Sequence, residues 1–117
     1  MYSPQVIDHF EHPRNVGEVP NANAAVQVEN PACGDIMSLS LLVANGKIVS
    51  ARFRSRGCVA AIACGSAMTE MLHGLKLEEA RKLGPESILQ ALGELNPEQK
   101  HATHLAMDAL KAAIAKL

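Results

Sequence analysis

The sequence has no tryptophan, one tyrosine and two phenylalanines in 117 residues, and it has no run of basic residues. Without basic residues interleaved with aromatics there is no stacking or electrostatic footprint for nucleic acid. A formal net charge of -1 provides no attraction to an anionic membrane either. Long apolar runs are also missing, the longest falling far short of the roughly 20 residues that span a bilayer. Met1 to Glu11 lacks a basic stretch followed by an apolar core, so no secretory signal is expected and the cytoplasm is the expected location. Cysteine is scarce: Cys33, Cys58 and Cys64 are an odd number and too few for a disulfide framework. The thiols are therefore expected to be free in a reducing compartment. What is present, 48% hydrophobic residues, suffices for one domain over residues 1–117 with a core of its own.

The chain opens on Ser3-Pro4, a capping hydroxyl and a proline suited to the first helical position, and Val6, Ile7 and Phe10 supply one apolar face. His12-Pro13 should end that helix, and the Pro, Asn and Gly of residues 13–17 should form a loop. His9 and His12 read as surface residues. Ala24 to Glu29 is a weak strand candidate. Ile36 to Val43 alternates Met37, Leu39, Leu41 and Val43 against Ser38 and Ser40, and Ile48 to Arg54 alternates Val49, Ala51 and Phe53 against Ser50, Arg52 and Arg54. Ala44-Asn45-Gly46 between them is a hairpin turn, so an antiparallel meander with one apolar and one wet face is expected.

A helix of small and apolar residues should follow from Cys58 to His73, stopped by Gly74. Short helices are expected over Leu77 to Leu83 and Glu86 to Leu92. Asn96-Pro97-Glu98-Gln99 reads as a capping box that opens the last helix. The core stripe of that helix is Ala102, Leu105, Ala106, Ala109, Ala113 and Leu117, with His101 at its border and His104 on the polar face beside Asp108 and Lys111.

Strand pairing has a chemical consequence. With the turn at Asn45-Gly46, the far ends of the two strands lie side by side, and those ends are Cys33-Gly34-Asp35 and Gly57-Cys58. Cys58 is open to two readings, a small buried hydrophobe or a thiolate favoured by a helix N-terminus. Two thiolates, a carboxylate and an imidazole can ligate tetrahedral zinc or a two-iron cluster. Two cysteines cannot make a four-thiolate set, so Asp35 and His101 complete it, or a second copy of the chain contributes its own pair.

Tyr2-Ser3, His9-Phe10, His12-Pro13-Arg14-Asn15-Val16-Gly17, Asn30-Pro31-Ala32-Cys33-Gly34-Asp35, Gly57-Cys58, Ala61-Ile62-Ala63, Thr69-Glu70, Leu105-Ala106, Asp108-Ala109 and Lys111-Ala112-Ala113-Ile114 resemble the IscU/NifU N-terminal type of iron-sulfur assembly scaffold. The resemblance runs over essentially the whole chain. It implies an α+β fold: a three-stranded antiparallel sheet with helices packed on one face and a long C-terminal helix. It also implies a non-enzymatic role, with a cysteine desulfurase as sulfur donor, a [2Fe-2S] cluster built on the protein, and apo iron-sulfur proteins as acceptors. By position, Cys33, Asp35, Cys58 and His101 fall on the family's site, binding iron, the cluster, or zinc in its place.

The chain departs from the pattern in two places. The family's third site cysteine directly follows the histidine, and here that residue is Ala102, whose methyl group neither ligates metal nor carries a persulfide. Leu95-Asn96-Pro97-Glu98-Gln99-Lys100 replaces the family's Leu-Pro-Pro-Val-Lys chaperone-recognition segment. Cys64 is no substitute, since it lies about 120° around the helix from Cys58 and nearly two turns further along, and it reads as a packed structural cysteine. Two rival readings follow: a cluster-free module that docks a desulfurase or acceptor, and a cluster shared by two chains, so the protein is a monomer or a cluster-linked dimer.

Overall fold

A computed structural model describes residues 2–31, 34–93 and 95–117. The element order is α1 (Pro4–Glu11), β1 (Ala24–Glu29), β2 (Ile36–Ala44), β3 (Lys47–Arg56), α2 (Val59–Leu72), α3 (Leu77–Ala80), α4 (Pro85–Leu92) and α5 (Pro97–Ala115). The three strands form one antiparallel sheet in the order β1-β2-β3, and α2 and α5 pack on one of its faces. This is the α+β arrangement that the resemblance implies.

The hairpin turn works because Asn45 and Gly46 both take positive φ, 55° and 74°, as a two-residue turn matched to strand twist requires. Beyond it, Met37 pairs with Ser55, Leu39 with Phe53 and Leu41 with Ala51. Met37, Leu39, Leu41, Ala51 and Phe53 are buried against the helices. One register detail departs from simple alternation. Leu42 pairs with Ser50 and Val43 with Ile48, so Val49 is an extra, unpaired residue in a β-bulge. The bulge shifts the phase of the strand's first turn-proximal residues: Ile48 is buried, whereas Val49, expected on the apolar face, is exposed.

The free edge of β3 is covered from Ile48 to Phe53. Phe53 N–H donates to Asn15 O and Gly17 N–H donates to Phe53 O, both at 2.9 Å. Nearer the turn, Gly74 N–H donates to Ile48 O at 2.8 Å and Ile48 N–H to Leu75 O at 2.9 Å. Over that stretch the edge offers no template for pairing with another chain.

Ser3 caps α1 by accepting the Val6 N–H at 3.1 Å, and its hydroxyl donates to Leu92 O at the end of α4. The buried face of α1 is Val6 and His9, while Ile7 and Phe10 are exposed, contrary to the expected apolar face. His9 is therefore a core residue and not a surface one. His12 is exposed, as expected. Asn96 caps α5 in the expected reciprocal box, Gln99 N–H donating to Asn96 Oδ1 at 2.9 Å and Asn96 N–H to Gln99 Oε1 at 3.2 Å. The inward stripe of α5 holds Ala102, Leu105, Ala106, Ala109 and Ala113 as expected, and adds Met107 and Leu110. Leu117 lies beyond the helix and is exposed. Helix α2 stops at Leu72 with His73 as its cap, and α3 ends at Ala80, short of Leu83. Among the described residues, no helix is long and apolar enough to cross a membrane.

Candidate metal centre

The site lies at the sheet margin farthest from the hairpin turn, where Ile36 and Arg56 make the last rung of the β2–β3 ladder. Asp35 directly precedes that rung and Cys58 follows it by two residues. Asn30 N–H donates to Asp35 O at 2.8 Å and Gly34 N–H to Asn30 O at 2.7 Å, and these bonds fix the approach of Asp35. The other side of the site is set by Cys58, which occupies the N-cap of α2 with extended backbone angles, φ -75° and ψ 167°. Its sulfur is the donor atom that Cys58 brings to the site. The third wall is His101, early in α5 and half-buried.

One ligand atom from each of Asp35, Cys58 and His101 lies within 4.8 Å of the other two. Three elements far apart in sequence thus converge on a volume the size of one metal ion with its ligands. Asp35 is only 9% exposed, and no basic side chain forms an ion pair with it among the described residues. A carboxylate so placed is costly without a cation or several donors. The donor set is one oxygen, one sulfur and one nitrogen, which suits zinc or iron better than calcium or magnesium.

Burial pushes the Cys58 thiol above its ordinary value, opposed by the backbone N–H groups of Ala61 and Ala60 and reinforced by the Asp35 carboxylate beside it. The helix N-terminus therefore pulls toward thiolate, as the sequence suggests, but desolvation and the neighbouring carboxylate outweigh it. A coordinating cation reverses that balance, since a thiol bound to such an ion loses its proton outright.

Cys33 and the neighbouring Ala32 lie outside the described residues, so the expected second thiol is left as a sequence expectation. Cys64 is fully buried in the core cluster, and burial pushes its thiol up to about 12. It is a small hydrophobe in function. Ala102 is fully buried and contributes packing alone, and His104 is exposed, away from the site.

Two features escaped the sequence. Gly57 sits so close to Asp35 that a Cβ there would be 2.5 Å from Asp35 Cγ. The second is a buried polar cluster that holds α1 on α2. Ser66 is fully buried, its Oγ accepts Arg14 N–H at 2.9 Å, and it lies 2.7 Å from His9 Nδ1. The signal was present: His9 is one helical turn after Val6 and so shares its inward face.

The family described as NifU-like N terminal domain matches residues 1–117. The chain is 44% identical over 114 residues to a protein of Archaeoglobus fulgidus named iron-sulfur cluster assembly scaffold protein IscU 1, covering 97% of this chain and 74% of that one. It is 47% identical over 118 residues to the Escherichia coli K12 protein named iron-sulfur cluster assembly scaffold protein IscU, covering 97% and 91%. In fold it matches the crystal structure of a NifU-like protein N-terminal region from Brucella abortus with a TM-score of 0.81 at 15% identity, covering 97% of this chain and 92% of that one.

Proposed function

This chain belongs to the family of NifU-like N-terminal domains, and from that membership together with the convergence of Asp35, Cys58 and His101 we propose that it is a scaffold for iron-sulfur cluster assembly. The observation that carries the reading is the compact cluster of oxygen, sulfur and nitrogen donors at the sheet margin, all within 4.8 Å of one another. Relatives of 44% and 47% identity named as assembly scaffolds support it.

In this reading the cargo is iron with sulfide, assembled as a [2Fe-2S] cluster, and zinc is a ligand of the same donors. Cys58 supplies a thiolate, His101 an imidazole nitrogen and Asp35 an oxygen. Cys33, next but one to Asp35 in sequence, is assigned the second thiolate. A carboxylate and an imidazole in place of two thiolates make a cluster that is held less tightly, which suits a protein that passes its cargo on. The protein binds and transfers and performs no catalysis of its own. Its sulfur comes from a cysteine desulfurase and its cluster goes to apo iron-sulfur proteins.

The test is anaerobic reconstitution with ferrous iron and sulfide. A visible charge-transfer spectrum is expected in the native chain and a changed or missing one in a Cys58→Ser variant. A native chain without such a spectrum, or a spectrum indifferent to Cys58→Ser, removes the scaffold reading and leaves a cluster-free docking module.

A further inference from the structure

The sheet face turned away from the helices carries a row of arginines. Arg52, Arg54 and Arg56 alternate with the buried Ala51 and Phe53, so all three project from the outer face, and all three are exposed. They extend over about 14 Å of strand. The chain as a whole has 11 basic and 12 acidic residues, so general basicity does not account for the row. Nor do internal partners: among the described residues both ion pairs belong to Arg14. Arg52 Nη1 donates a long hydrogen bond, 3.4 Å, to Glu18 O, and among the described residues Arg54 and Arg56 form no ion pair.

The loop before β1 divides this face in two. Val19 is buried, and its N–H donates to Ser40 Oγ at 2.9 Å, so the loop covers the half around Ser40 and Arg52. The other half is left open. There Gln27, Ile36, Ser38, Arg54, Ser55 and Arg56 line a shallow concavity of about 350 Å³. Among the described residues the one carboxylate in register with it is Glu29, which pairs across to Ile36, which in turn pairs with Arg56. That places Glu29 two strands from Arg56, about 10 Å away. Arg56 is two residues before Cys58, so the open half adjoins the donor cluster.

We propose that the open half of the sheet, with Arg54 and Arg56 at its centre and Arg52 at its border, is a docking surface for an acidic protein segment. The complementarity is of charge and of shape. Guanidinium groups present planar forks that take carboxylates two-pronged, and the amide N–H₂ of Gln27, whose Oε1 accepts from Ser38 Oγ at 3.3 Å, adds a neutral donor. A segment in extended conformation, with carboxylates on alternate residues, matches the spacing of a strand. Nucleic acid fits less well, since three cations with no aromatic neighbours provide little counterion release or stacking. An anionic bilayer fits less well too, since the concavity offers little apolar surface to insert. The surface rests on its own residues and holds whether or not the neighbouring site carries a cluster.

The test follows amide shifts of the ¹⁵N-labelled protein during titration with a hexaglutamate peptide, with hexalysine, duplex DNA and phosphatidylserine vesicles as comparisons. Saturable shifts from hexaglutamate at residues 27, 36–38 and 54–56 are expected, with hexalysine inert. The R54E/R56E variant should bind about tenfold more weakly, the sum of two exposed ion pairs, and rising salt should weaken the wild type in step. The R54K/R56K variant keeps the charge and should lose only part of the affinity. Shifts scattered elsewhere, or hexaglutamate binding unchanged in R54E/R56E with a preserved native spectrum, would overturn the proposal. DNA or vesicles binding the same residues as tightly as hexaglutamate would overturn it as well, in favour of a site for any polyanion.

Discussion

Gly57 and Asp35 are interlocked: the carboxylate of Asp35 occupies the space that a side chain at residue 57 would need, with Asp35 Cγ 2.5 Å and Oδ1 2.6 Å from the position of a Cβ. The glycine is thus part of the donor cluster without donating anything. It lets a buried carboxylate sit against the backbone where β3 hands over to α2.

A Gly57→Ala substitution should accordingly evict Asp35 from the cluster. Cobalt binding, read from its visible ligand-field bands, should weaken about tenfold, the lower end of what displaced supporting groups cost metal sites. Far-UV circular dichroism should stay native. Unaltered cobalt affinity would show that Asp35 takes no part in the site.

At Gly65, in the middle of α2, an alanine would overlap the ring of Phe53 across the helix–sheet interface. On an exposed helix the same change would stabilise by about 1 kcal/mol. Here overpacking of about 1–3 kcal/mol opposes it and should win. The expected result is a Tm lowered by a few degrees; a raised Tm would mean that Phe53 can move aside freely.

The Ser66→Ala variant leaves Arg14 N–H and the His9 ring without their partner inside the α1–α2 contact. Abandoned buried polar groups cost about 1–3 kcal/mol. Urea denaturation should show a loss of that size, and hydrogen exchange should rise first in α1. A loss confined to other elements would refute the role given to Ser66.

His9 predicts a pH dependence. Burial, and then the positive charge of Arg14, lower its pKa from 6.5, against the opposing influence of Glu70 and Asp8. Ser66 Oγ accepts from Arg14 N–H and lies 2.7 Å from His9 Nδ1, which holds the ring in the dry α1–α2 contact where its charged form is disfavoured. The unfolded chain takes up a proton near pH 6.5 and the folded one only lower, so between those values the unfolded state binds more protons. The stability from His9 is complete above pH 6.5 and is lost as the pH falls toward its depressed folded value. Denaturation midpoints measured from pH 7.5 to 5 should therefore fall more steeply in the wild type than in His9→Gln. Parallel curves would dismiss the effect.

Cys64 should resist iodoacetamide until the protein unfolds, being fully buried with its thiol raised to about 12. Peptide mapping should find Cys58 alkylated before Cys64, and labelling of Cys64 should follow the unfolding rate. Modification of Cys64 in the native state at a rate like that of Cys58 would contradict its place in the core.

Much of this protein is determined by local sequence. Ser3-Pro4, Asn45-Gly46 and the Asn96/Gln99 box specify their caps and turn because each acts through backbone groups within a few residues. Alternation in residues 36–41 and 51–54 specifies which side of the sheet is buried, and the hairpin then carries Asp35 and Cys58 to one margin. Tertiary structure alone decided the rest, because those outcomes depend on neighbours distant in the chain. The bulge put Val49 outside, α2 took His9 into its interface, and the desolvation of Cys58 overcame the pull of its own helix. A period or a motif shows where a side chain points, but its charge state and burial are set by what folding places opposite it.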